Sequence, residues 1–156
     1  MGFTFKKPEA QFLKVTGASN GEEFTFVGKF ITLDSDDQRS EMEARVDAAV
    51  RLSEENHQAK AFREACKSLA SDIFLGWANR PGDSESLWVT DEDGKPLDCT
   101  EERRNEMLSR PSVAWWIVQA FRENEMSREV ALGNSGRSPG NGFRGRVADA
   151  SRTRQT

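Results

Sequence analysis

Four groupings of residues have types that chemistry uses, and each departs from the spacing or context that chemistry requires. Gly140-Asn-Gly142-Phe-Arg-Gly145 matches the GxGxxG pattern of a dinucleotide loop. Such a loop follows a strand, opens a helix whose N-terminus receives the pyrophosphate, and is answered by an acid about 20 residues on. Ser135 to Gly140 does not read as a strand, and the sequence reaches only Thr156. Asp91-Glu-Asp93-Gly94, with Asp98 and Glu101 beyond it, offers hard oxygen ligands. A calcium loop needs more of them in order, closed by a glutamate at its twelfth position, whereas Lys95 and Pro96 intrude here, so a hairpin turn is expected. His57 sits in no motif with a serine or cysteine nucleophile, and acids are too plentiful for one pair to stand out as an acid/base couple. Cys66 and Cys99 lie 33 positions apart in a chain with one histidine, which provides neither a zinc motif nor a disulfide framework. No catalysis, cofactor or metal is expected.

The composition agrees with a binding or structural role. With 156 residues, 36% of them hydrophobic, the chain has material for one core. Charged residues make up 31%, against roughly 25% in ordinary globular proteins, and no apolar run approaches the ~20 residues that span a bilayer. The opening MGFTFKKPEAQF lacks the apolar stretch and small-residue cleavage site of a signal peptide, so a cytoplasmic protein without membrane contact is expected. The net charge of −4 is unevenly placed: residues 135–156 hold five arginines and one acid, leaving residues 1–134 at −8. An acidic body carries a basic tail.

The first third has a strand's period of two. Phe3-Thr-Phe5 alternates, Gln11–Val15 is short and β-prone, and Phe24–Leu33 alternates around Gly28, a candidate bulge. Gly17-Ala-Ser-Asn20-Gly21 supplies turn chemistry between the last two, which predicts an antiparallel hairpin with Phe24, Phe26 and Phe30 on one face. The period then changes. Ser35 and Gln38 form an S-x-x-Q capping box ahead of Met42, Val46, Ala49 and Val50, which predicts a helix from about residue 36. After a polar break near Asn56, a second stripe of Phe62, Cys66, Leu69 and Ile73, extended to Trp77, predicts another helix.

Asn79–Ser86 is a loop by composition, and Leu87-Trp-Val-Thr90 reads as a short strand stopped by the Asp91–Pro96 turn. Thr100 is placed to cap a helix from Glu101 to about Ser109, and Pro111 to open a last one that ends before Gly133-Asn134. The expected fold is α+β: a small N-terminal antiparallel sheet or hairpin packed against a bundle of about four helices. Residues 1–134 form a single domain on this account. From Ser135 onward Gly, Ser, Arg and Asn dominate, with too little apolar surface to offset ordering entropy, which predicts a disordered tail over 135–156.

Two features point to a partner. In the last helix Val113, Trp116, Ile117, Ala120 and Phe121 fall on one stripe, while Trp115 points almost oppositely. Either sheet and helices sandwich this element, or Trp115 lies in an interface, where tryptophan is enriched. In the tail, Arg137, Arg144 and Arg146, with Arg152 and Arg154, are suited to docking on an acidic surface. Without interleaved aromatics to stack bases, and beside an acidic body, they make a poor nucleic-acid arm.

The order of parts resembles a known family. It runs from a phenylalanine-rich β N-terminus with Gly28-Lys-Phe30, through acidic helices and Gly76-Trp77, to Trp88-Val-Thr-Asp91-Glu-Asp-Gly94-Lys-Pro96-Leu and Thr100-Glu-Glu. Arg110-Pro111-Ser-Val113 then opens an aromatic helix through Ala120-Phe121-Arg-Glu-Asn to Asn134. Over residues 3–134 this is similar to the tail assembly chaperones of long-tailed bacteriophages. The resemblance implies a non-enzymatic, oligomeric protein that binds the tape-measure protein and recruits tail-tube subunits during tail assembly, without remaining in the virion. In that family a programmed frameshift often appends a longer C-terminal form, and a folded body with a basic tail is compatible with one. Trp88, Trp115, Trp116 and Phe121 are the candidate protein-binding residues, with Arg137, Arg144 and Arg146 as tail-docking residues. The competing expectation is a small phage-encoded or bacterial regulatory protein that binds a host protein or nucleic acid.

Overall fold

A computed structural model of the chain describes residues 2, 9–56 and 59–133, with side chains as far as Arg128. The elements in order are β1 (Gln11–Ser19), β2 (Glu22–Phe30), α1 (Asp36–Glu55), α2 (Lys60–Ile73) and β3 (Phe74–Trp77). A short 3-10 helix (Glu85–Leu87), α3 (Glu101–Leu108) and α4 (Pro111–Gly133) follow. The fold is α+β, and the described residues form a three-stranded antiparallel sheet in the order β1-β2-β3 with four α-helices. Two compact units divide it, Met1–Arg122 and Glu123–Thr156. In the second, residues 123–133 are helical and Arg128 lies 3.7 Å from Glu125 one turn back. The Phe3-Thr-Phe5 strand, His57, the GxGxxG run and the tail with Arg137, Arg144 and Arg146 lie outside the described residues.

The hairpin turns on Asn20 and Gly21 alone, both at positive φ (55° and 81°), the type I′ geometry that matches strand twist. The turn is therefore tighter than the Gly17–Gly21 segment expected, and β1 continues to Ser19, opposite Glu22. Strand register follows: Val15 faces Phe26 and Leu13 faces Gly28. Gly28 itself is not the bulge. The irregularity falls between Lys29 and Phe30 against β3, and a Cβ at Gly28 would come within 2.8 Å of the rings of Phe30 and Phe74.

Helix α1 begins at the predicted cap, with Ser35 Oγ accepting the Gln38 N–H at 3.2 Å, while Gln38 Oε1 reaches past the cap to the Asp34 N–H at 3.2 Å instead of closing the box on Ser35. Helix α2 stops at Ile73, and the chain passes directly into β3. Trp77, read as the end of the α2 stripe, therefore sits on a strand that sequence reasoning missed. Four residues give a period of two no room to declare itself. Pairing decides instead: Gly28 opposes Trp77 and Phe30 opposes Phe74.

The core is aromatic where sheet meets helix. Phe74 meets Phe26 and Phe30 edge-on at 6.2 and 5.5 Å, and Phe30 stacks on Phe121 of α4 at 6.0 Å. Each such pair is worth about 0.5–1.5 kcal/mol beyond the apolar area it buries. Val46 and Ala49 of α1, Phe62, Cys66, Leu69 and Ile73 of α2, Leu108 of α3, and Val113, Ile117 and Val118 of α4 fill the remainder.

Candidate protein-binding site

The four aromatic candidates lie on two elements and differ in access. Helix α4 opens with Pro111, whose missing N–H is harmless in a first turn, and the Ala114 N–H bonds Arg110 O at 3.0 Å. Its first two turns dock on β1. Ser112 Oγ meets Ser19 Oγ at 3.0 Å, and Trp116, one turn on, donates its indole N–H to Ala18 O at 3.2 Å. The same indole lies against Gly17, where any Cβ would overlap it.

Trp115 takes the other side of α4, meeting Phe62 of α2 edge-on at 5.1 Å between ring centres. Helix α4 is thus held between the sheet on one side and α2 on the other, with both tryptophans half-buried. Phe121 is 1% exposed and belongs to the core, so its part is to seat α4 on Phe30. Trp115 and Trp116 are brought to one helix on opposed faces. Trp88 stands apart from them.

The Trp88 segment is organised by Asn79. Its Oδ1 accepts the Val89 N–H at 2.8 Å, and its Nδ2 donates to Val89 O at 3.0 Å and Leu97 O at 3.2 Å. Trp77 adds an indole N–H to Leu97 O at 2.7 Å. The expected strand Leu87–Thr90 is replaced by the end of the 3-10 helix and a single bridge, Thr90 to Pro96. Side chains, not a backbone ladder, fasten this loop to the sheet. At its tip Asp91 Oδ1 accepts the N–H groups of Asp93 (2.9 Å) and Lys95 (3.0 Å), the Asx-type turn that explains the acid at this position. Among the described residues, no group of three or more His, Cys, Asp or Glu side chains is placed to hold a metal ion.

Sequence reasoning missed Phe12 and Arg80. Phe12, on the outer side of β1, is 42% exposed, and the Arg80 guanidinium lies over its ring at 4.4 Å. Arg80 also forms a two-pronged pair with Asp83 (2.8 and 3.2 Å), and its carbonyl accepts the Trp88 indole N–H at 3.1 Å. The Arg80 hydrogen bond holds the Asp83 carboxyl below the usual carboxylate range. The alternation of β1 marks Phe12 as outward, but nothing in the sequence says that an arginine 68 positions on will cover it.

No protein-family model matches this chain, and neither do curated proteins or solved structures. Among the described residues no helix is long and apolar enough to cross a membrane.

Proposed function

We propose that this chain is a non-enzymatic tail assembly chaperone of a long-tailed bacteriophage, acting in the host cytoplasm. It binds the tape-measure protein, recruits tail-tube subunits and is left out of the virion. The order of sequence parts over residues 3–134 carries the proposal, and the α+β fold is compatible with it. A tape-measure protein is a long helical chain whose apolar faces aggregate unless covered, which calls for several chaperone copies each offering apolar surface. The half-exposed parts of Trp115 and Trp116 supply such surface on two opposed faces of a helix pinned at its first turns, so little ordering entropy is lost when a partner packs on either. Trp88 and Phe12 each contact Arg80, Trp88 through its indole N–H and Phe12 through its ring.

Light scattering of the purified protein, alone and co-expressed with the long helical protein encoded beside it, tests the proposal. Higher oligomers or a soluble co-complex are expected, and Trp115→Ala should weaken the complex at temperatures where the domain stays folded. A strict monomer that leaves the helical protein insoluble would favour a regulatory protein that binds a host protein or nucleic acid. Nucleic-acid binding would lose affinity steeply between about 50 and 200 mM salt, as apolar coating of a helix would not.

A further inference from the structure

We propose that the outer edge of β1, from Phe12 to Thr16, is a strand-addition site for an extended acidic segment of a partner protein. This is independent of the chaperone proposal and concerns a different element from α4.

Among the described strands, the sheet order leaves β1 at an edge. Because the two-residue turn closes on the Ser19–Glu22 pair, the odd residues of β1 exchange hydrogen bonds with β2. The even residues therefore aim their N–H and C=O groups away from the sheet. At one end this edge is already used, since Ala18 O takes the Trp116 indole N–H. Among the described residues, no hydrogen bond satisfies the outward backbone groups of Phe12, Lys14 and Thr16. Three alternate residues thus present outward donors and acceptors, the template that an added strand reads.

Charge selects the occupant. On the outer face Lys14 opposes Val27 and Phe12 opposes Lys29, which sets the two exposed lysines diagonally across the strand pair. Neither is in an ion pair among the described residues; Asp83, which feels the charge of Lys14, is itself paired with Arg80. In a chain of net charge −4 this is a local reversal of sign. A strand added beside β1 places alternate side chains on the lysine face, where acids are favoured, and the others on the side of half-buried Leu13 and buried Val15. A second copy is a poor occupant. The two-fold register that opposes Phe12 to Thr16 also sets Lys14 against its own copy, and an edge lysine is a common guard against self-pairing.

Amide hydrogen exchange on the full chain, followed by NMR, tests this. In the free protein the Phe12, Lys14 and Thr16 amides should exchange at least tenfold faster than those of Leu13, Val15 and Gly17. A blocked nine-residue peptide alternating glutamate with valine, at millimolar concentration, should slow the three outward amides at least tenfold. The same peptide with lysine in place of glutamate should protect them less, and Lys14→Glu should reverse that preference. The proposal is overturned if the outward amides are already slow in the free protein. Protection lost on dilution would identify a second copy as the occupant, and protection that persists would identify the chain's own residues. Exchange unchanged by either peptide would overturn it as well.

Discussion

Gly17 and Trp116 form a lock between the hairpin and α4: the indole occupies the space a side chain at 17 would need, and its N–H is bonded to the next carbonyl in β1. Packing against Gly17 and hydrogen bonding to Ala18 thus act through one side chain, and Ser19 with Ser112 adds a further polar contact between hairpin and helix. Gly17→Ala should destabilise by about 1–3 kcal/mol, the usual cost of overpacking a fitted contact. Trp116→Phe, which removes the N–H, should cost about 1 kcal/mol. Urea unfolding of the singles and the double mutant would read the coupling; strict additivity would mean that the two residues do not share one contact.

Asn79 satisfies both backbone groups of Val89 and one of Leu97. Asn79→Ala should cost about 1–3 kcal/mol, chiefly by leaving the Val89 N–H unpaired, since Val89 O keeps the Leu97 N–H and Leu97 O keeps the Trp77 indole N–H. Asn79→Asp should cost more, because a carboxylate would face two carbonyl oxygens. The amides of Val89 and Leu97 should lose exchange protection first, while those of β1 and β2 keep theirs.

Arg104 of α3 closes the end of α2, donating from Nε to Phe74 O at 2.8 Å and from Nη2 to Ser71 O at 2.5 Å. A cation there also meets the negative end of the α2 dipole, since α2 has no basic residue in its own last turn. Arg104→Met keeps the aliphatic stem and should lower stability by about 1.5–3 kcal/mol, the range for hydrogen bonds to a charged group. Thermal unfolding monitored by far-UV circular dichroism would measure it.

Burial pushes the Cys66 thiol from 9.0 up to about 12, whereas Cys99 is half-exposed. Native protein should therefore release one thiol to a thiol reagent at pH 8 and the second only on unfolding. The linkage has a definite sign. Between pH 9 and about 12 the unfolded chain loses the Cys66 proton and the folded one keeps it, so this group lowers stability as pH rises, by at most about 1.4 kcal/mol per pH unit. Cys66→Ala should flatten that alkaline slope in denaturant titrations, at the expense of a small cavity.

Local chemistry was legible in the sequence wherever neighbours in the chain decide structure. A turn ending on Asn20-Gly21, Ser35 and Thr100 as caps and Pro111 as a helix opener are set by residues a few positions apart, and all appear, though the turn is shorter than the Gly17–Gly21 segment read for it. The stripe Phe62, Cys66, Leu69 and Ile73 likewise faces the core, because a 3.6-residue period leaves only one buried side.

Tertiary structure alone decided what lies across the chain. Strand β3 exists because β2 offers an edge to Phe74–Trp77, four residues too short to announce a period. The fate of the tryptophans is of the same kind. Composition and periodicity put Trp115 and Trp116 on opposed sides of α4, but Phe62 from α2 and the bare backbone of Gly17 determine that each is only half-covered. Alternation likewise turned Phe12 outward, while Arg80 reaches it through a loop whose path Asn79 sets. Sequence spacing fixes which way a side chain points within its own element; what it meets depends on how separate elements pack, and that is settled only when the core closes.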